Sequence, residues 1–132
     1  MAGRITTRVG IDPEDRGGCT PYRHLSNGST KADVIKASAG QLYGSISMGN
    51  IGAAAVYLRI YDKATAPSTS DTPVIGPLVI PGATTGAGRE HVLPIQGVAF
   101  ANGISWRLTT GIADNDDTAV TSAEVTFTTY YT

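Results

Sequence analysis

The sequence predicts an all-β protein, an antiparallel β-sandwich of about 7–8 short strands, and three observations carry that expectation. First, Val56, Leu58 and Ile60 alternate with Tyr57, Arg59 and Tyr61, so successive side chains point to opposite faces, as a half-buried strand requires. Second, the alternating stretches are separated by clusters of Gly, Pro, Ser, Thr, Asn and Asp, which favour turns and compete with ladder hydrogen bonds. Third, no segment keeps an apolar period of about 3.6 residues for three turns, as an amphipathic helix would.

The 132 residues match the size of one domain. Folding should hide roughly two thirds of the unfolded surface, enough for a core without staples. Ten basic and eleven acidic residues leave a net charge of −1, and no Lys/Arg cluster follows any face, which argues against a nucleic-acid partner. Cys19 is the only cysteine, so no intrachain disulfide forms, and no CxxC or Cys/His spacing points to zinc. No apolar run approaches the ~20 residues of a membrane span, and charges are mixed through the first thirty residues in place of an apolar signal core, so cytoplasmic synthesis without a membrane partner is expected.

Met1 to Thr30 differs from the rest. It holds four arginines (Arg4, Arg8, Arg16, Arg23) against Asp12, Glu14 and Asp15, a charge of +1 where the remaining chain carries −2. It reads as an extended arm, residues 1–30, ahead of a sandwich domain, residues 31–132. Within the arm Ile5, Thr7, Val9 and Ile11 alternate with Arg4, Thr6, Arg8 and Gly10, a pattern suited to pairing with a supplied sheet edge. A mobile tail is the alternative reading of the same composition.

Ala32 to Ser38 and Gln41 to Met48 flank Ala39-Gly40, which predicts a hairpin. With the Val56 strand it would make a meander of three. Lys63 to Pro73 holds two prolines and six Ser, Thr or Asp residues and reads as a long surface loop. Val74 to Ile80 is apolar again, but Pro77 lacks an N–H and limits it to an edge or an irregular strand. Pro81 to Gly88 is a glycine-rich turn without the GK[ST] ending of a phosphate loop. Glu90 to Ile95 puts His91, Leu93 and Ile95 on one face, with Pro94 marking an edge. Asn102-Gly103, a turn dipeptide tolerant of positive φ, separates Val98 to Phe100 from Ile104 to Thr110, where Ile104, Trp106 and Leu108 form the apolar face. In the last strand, Ala119 to Tyr130, Val125 and Phe127 share a face, and the C-terminus is expected within a sheet.

Chemistry-bearing groups are sparse. Asp114, Asn115, Asp116 and Asp117 form one acidic knot, whose spacing lacks the alternating ligands, sixth-position glycine and distant glutamate of an EF-hand; a turn with Asp side chains on local N–H groups is the expected reading, with calcium as the alternative. His24 and His91 are the only histidines, and neither has a Ser, Cys or second His at recognisable spacing. No enzyme, catalytic residue, cofactor or metal is expected on these grounds.

At VYLRIYDKATAPSTSDTPV and at GISWRLTTGIADNDDTAV the chain resembles a family of small structural proteins of tailed bacteriophages, in which a strand ending YL-[RK]-[IL]-Y, a Thr/Ala/Pro-rich loop and a later LTTG-x-A-D segment recur. The likeness covers about Ala32 to Thr132. It implies a jelly-roll-like sandwich that binds and stabilises the capsid shell as a decoration or cement protein at the capsid surface, with the major capsid protein and copies of itself, often as homotrimers, for partners. A head-fibre or tail adhesion module binding host glycans through Tyr22, Tyr57 and Tyr61, and a tail or connector subunit, are the alternatives. On the first reading the contact residues are Ile5, Arg8, Val9 and Ile11 of the arm, which would extend a sheet on an adjacent subunit, and Tyr57, Arg59 and Tyr61 on the face opposite the presumed core.

Overall fold

Each alternating stretch becomes a strand because one of its faces finds a core to bury against. The computed structural model describes residues 18–132, and among them nine strands and no helix form. In chain order they are β1 (Thr20–Leu25), β2 (Ala32–Lys36), β3 (Gly40–Asn50), β4 (Val56–Tyr61), β5 (Ile75–Ile80), β6 (Ala87–Val92), β7 (Val98–Phe100), β8 (Ile104–Thr109) and β9 (Val125–Tyr131).

Two antiparallel sheets pack face to face. One runs β1-β9-β3-β6, with β7 also on β3; the other runs β2-β8-β4-β5. Setting the short β7 aside, each sheet has four strands, and β1 to β4 alternate between sheets. This is the strand order of a jelly roll, two interlocked Greek keys. The core joins Leu42, Ile46, Met48, Val125 and Phe127 of the first sheet to Leu58, Ile60, Ile80, Ile104, Trp106 and Leu108 of the second. Trp106, fully buried, meets Phe127 edge-on at 5.2 Å between ring centroids, and its indole Nε1–H donates to the Tyr22 hydroxyl at 2.9 Å. A buried indole needs such a partner. Pro77 lies in β5, an edge strand, as its missing N–H requires.

Four expectations change. The strand beyond the expected count is β1, inside the segment read as an arm: it pairs with β9 from Thr20↔Tyr131 to Leu25↔Thr126. Its inward residues, Tyr22 and His24, are polar enough to hide the alternation, yet they pack on Phe127 and Trp106. Ile5 to Ile11 lies outside the described residues.

The expected hairpin of β2 with β3, and with it the three-strand meander, does not form: β2 pairs with β8 and β3 with β6, β7 and β9, in opposite sheets. A two-residue hairpin needs positive φ, and neither Ala39 nor Gly40 adopts it. The link turns a corner between layers instead, and Gly40 is required there by closeness, since a Cβ would stand 2.5 Å from the Thr132 carbonyl oxygen.

Asn102-Gly103 likewise links β7 to β8 across the two sheets without positive φ. Both amides donate to Asp62 Oδ1, at 2.8 and 3.4 Å. Finally, β6 ends at Val92; Leu93 is buried, but Ile95 is fully exposed, because Pro94 stops the ladder before Ile95 can share its face.

Candidate functional site

The outer face of the β2-β8-β4-β5 sheet carries a connected assembly of polar side chains. Antiparallel register sets Tyr57 opposite Thr109, Arg59 opposite Arg107 and Tyr61 opposite Ser105. Like charges directly across a strand pair repel, so the two arginines demand compensation. The loop between β8 and β9 supplies it. Arg59 donates through Nε to Asp114 Oδ1 at 3.1 Å, through Nη1 to Thr109 Oγ1 at 3.0 Å, and through Nη2 to the carbonyls of Gly111, Ile112 and Ala113 at 3.0, 2.6 and 2.8 Å. Arg107 donates to the carbonyls of Asp114 and Asp116 at 3.0 and 2.6 Å and to Asp117 Oδ1 at 3.1 Å. A planar guanidinium with five donors suits a chain of carbonyls in a way a lysine cannot.

The loop also bonds to itself. Asp116 Oδ2 accepts from the amides of Gly111 and Thr118 at 3.0 and 3.2 Å. Partial burial pushes the Asp116 carboxyl up, but those amides, with the Thr118 and Thr109 hydroxyls, outweigh it and hold the group below the usual carboxylate range. Lys31, 2.9 Å from Asp117 Oδ2, is the main cause holding Asp117 low, with Arg107 adding to it. The acidic knot is therefore the counter-charge and lid of two buried arginines. Of its carboxylates only Asp116 bonds local N–H groups, as the turn reading expects; Asp114 turns to Arg59, and Asp117 to Arg107 and Lys31, instead. Among the described residues no group of three or more His, Cys, Asp or Glu side chains is placed to hold a metal ion.

A second loop, between β4 and β5, is pinned by Asp71, which accepts from Lys63 Nζ and the Ser68 amide, both at 2.7 Å. Pro67 is buried there, whereas Ser68, Thr69 and Ser70 are exposed. A polar cleft lined by Lys31, Pro67, Ser68, Arg107 and Asp117 lies where the two loops approach. Of the residues expected on an open contact face, Tyr57 is half-buried, while Arg59 and Tyr61 are 0% and 1% exposed. The side opposite the core is not a free surface: loop 110–118 covers Arg59. Tyr61 Oη and, across the strand pair, Ser105 Oγ are buried without a hydrogen-bond partner. Tyr22 sits in β1 against the core, so the three tyrosines do not gather at loop tips. Ile5, Arg8, Val9 and Ile11 lie outside the described residues.

The other sheet is open. Its outer face carries Leu25, Thr126, Gly49 and Gly88 in one cross-strand row and Arg23, Thr128, Ser47 and Glu90 in the next. The first row floors a shallow groove bordered by the exposed Ile51. In the second, the Ser45 and Ser47 hydroxyls donate to Glu90 Oε2 at 2.7 and 2.8 Å and hold its carboxyl below the ordinary range. Cys19 is exposed and free. His24 packs its ring on Trp106, 4.3 Å between centroids.

Fold and surfaces define a jelly-roll β-sandwich with one outer face capped by an arginine-held loop and the other exposed. Compared with known protein families, curated proteins and solved structures, the chain finds no match.

Proposed function

We propose that this chain is a virion structural protein of a tailed bacteriophage that binds and stabilises the capsid shell as a decoration protein. One observation carries the reading. The two stretches that resemble the phage family, distant in sequence, form a single unit, because Arg59 of the first is clamped by Asp114 and the carbonyls 111–113 of the second. The residues that bear the resemblance thus build one rigid capped face.

A shell-binding protein works by weak contacts repeated through symmetry, which a rigid sandwich with ordered loops supplies. The exposed tips Ser68 to Ser70 and the outer face of the β1-β9-β3-β6 sheet are the contact surfaces on this reading, in place of Arg59 and Tyr61. The adhesion alternative loses its motivation, since Tyr22 and Tyr61 are packed into the body.

Mixing the purified chain with capsids of the phage that encodes it tests the proposal. Saturable binding at a fixed number of copies per shell, with capsids more resistant to heat or shear, is the expected result. Absence of binding to capsids combined with binding to tails would replace it with the tail-subunit reading.

A further inference from the structure

On the outer face of the β1-β9-β3-β6 sheet, the row Arg23, Thr128, Ser47, Glu90 and the row Leu25, Thr126, Gly49, Gly88 each end in unlike residues. Arg23 and Leu25 stand on edge strand β1, Glu90 and Gly88 on edge strand β6, and all four are exposed. Three strand spacings, roughly 14 Å, separate the Arg23 and Glu90 backbones, so opposite charges lie at opposite margins of one face. Apolar side chains are exposed between and beside them: Leu25 at 44%, Tyr130 at 41% and Val92 at 75%. The outer face of the other sheet is taken by loop 110–118, which covers Arg59 and Arg107.

We propose that this open face pairs with the same face of a second copy of the chain, about a two-fold axis that runs along the strands midway between β9 and β3. Such a rotation exchanges the two margins of the sheet and keeps height along the strands. It sets β1 of one copy on β6 of the other, and β9 on β3. Arg23 then faces Glu90 of the partner subunit, and Glu90 faces the partner's Arg23, one contact made twice as an isologous interface requires. The Ser45 and Ser47 hydroxyls, both on Glu90 Oε2 at 2.7 and 2.8 Å, hold that carboxylate on the outer face. Packed sheets lie ~10 Å apart, a gap that an arginine and a glutamate span together.

The second row matches by size. Leu25 lands over Gly88 of the partner subunit, on the floor of the shallow groove bordered by Ile51, where Gly49 and Gly88 leave room for it. One row further along, Pro21 meets the partner's Val92, apolar on apolar. Charge, size and polarity are thus all satisfied by one symmetry operation, which singles out a copy of this chain; a foreign partner would have to carry the same three complements independently. Four strands by about six residues give a footprint of roughly 400 Å² per copy, half the ~800 Å² of a standard stable interface. The dimer is therefore weak and reversible, with a Kd on the order of 10–100 µM.

The pairing stands on the sheet itself and not on the phage reading; where both hold, a copy takes this face and the Ser68 to Ser70 tips are left for the shell. Sedimentation of the full-length chain in a Cys19→Ser background, up to about 1 mM, should show a monomer–dimer equilibrium. Arg23→Glu and Glu90→Arg should each weaken it about tenfold, since each change spoils two contacts. Mixing the two single variants should restore the original affinity, because in the mixed dimer both contacts again join opposite signs, and the double variant R23E/E90R should recover it alone. Leu25→Glu, which sets a carboxylate in the partner's groove beside Glu124, should reach the same loss by another route, so the test survives a charge variant that fails to fold. A chain monomeric at every concentration, one that forms trimers without dimers, single variants that associate like the original, or a mixture no tighter than either variant alone would overturn the proposal. A monomer that still binds capsids would leave the decoration reading standing, and a dimer that binds none would leave this one standing.

Discussion

Arg59 and Arg107 face each other across the β4–β8 pair, 0% and 1% exposed, and neither is held mainly by a carboxylate. Between them they donate to five backbone carbonyls of residues 111–116, while Asp114 and Asp117 remain 52% and 58% exposed. Ion pairs that open to water are screened and contribute little. The carbonyl bonds, made in a dry environment by charged donors, contribute most.

Truncating either arginine should therefore cost far more than removing its acid. Arg59→Ala leaves three carbonyls and Thr109 Oγ1 without a charged donor, and about 3–5 kcal/mol of stability should be lost, read by urea denaturation. Asp114→Asn should cost within about 1 kcal/mol. Arg59→Lys should resemble Arg59→Ala more than wild type, because an ammonium cannot reach the same fan of acceptors. Equal losses from Arg59→Ala and Asp114→Asn would mean the ion pair dominates.

These residues also mark where the sequence stops being informative. Alternation assigned Arg59 and Tyr61 to the face opposite Leu58 and Ile60, and that is where they are; it carries no information on whether a loop 50 residues later will roof that face. The same limit explains β2 and β3. Ile35 and Leu42 each announce a buried face, but a buried face is satisfied from either layer, and only the backbone of Ala39-Gly40 selects the corner over the hairpin. Trp106, Val125 and Phe127 were legible because large apolar residues at period 2 have one destination. β1 carries no comparable signal, because its inward pair, Tyr22 and His24, is polar and its partner β9 lies about 100 residues away.

Acid should unfold the protein in two stages. Burial against Trp106 and Phe127 lowers the His24 pKa, with Asp33 opposing the shift. A depressed imidazole pKa contributes stability above the unfolded value of ~6.5, which fades as pH falls toward the folded one. Asp116, Asp117 and Asp71 are also lowered, so their contribution is intact above the ordinary carboxylate range and is lost as pH falls through their folded values. Melting temperature against pH should show a first decline below neutrality and a second, larger one in strong acid. His24→Phe should remove the first and spare the second; a first decline unchanged in that variant would assign it elsewhere.

Tyr22→Phe should cost about 1–2 kcal/mol, because it leaves the buried Trp106 indole N–H without its acceptor while barely changing packing against Phe127. The unfolding midpoint should shift with the denaturant slope unchanged. Since Tyr22 anchors the strand that carries the N-terminal segment, hydrogen exchange in β1 should rise more than in β9. Uniform acceleration across both strands would mean that the bond supports the whole sheet and not the β1 attachment.

Two glycines separate backbone strain from steric closeness. Gly44 has φ +74 within β3, at the register shift between Tyr43 and Ser47, and an added Cβ would meet nothing within 4 Å. Gly44→Ala should therefore cost only the left-handed conformational penalty, about 1–2 kcal/mol. Gly103 has ordinary φ, but its Cβ would stand 2.6 Å from Ala64 Cα and 2.7 Å from the Lys63 carbonyl oxygen, both backbone atoms. Gly103→Ala must therefore push the β7–β8 corner away from the start of the β4–β5 loop, disturbing the Asp62 bonds to Asn102 and Gly103. The loss should exceed that of Gly44→Ala, and exchange should quicken at the Asn102 amide. Gly44→Asn, which tolerates a left-handed backbone, should recover part of the first loss, while no residue with a Cβ should recover the second. A smaller loss at Gly103 than at Gly44 would show that the corner yields freely and that the two loops are not held in contact.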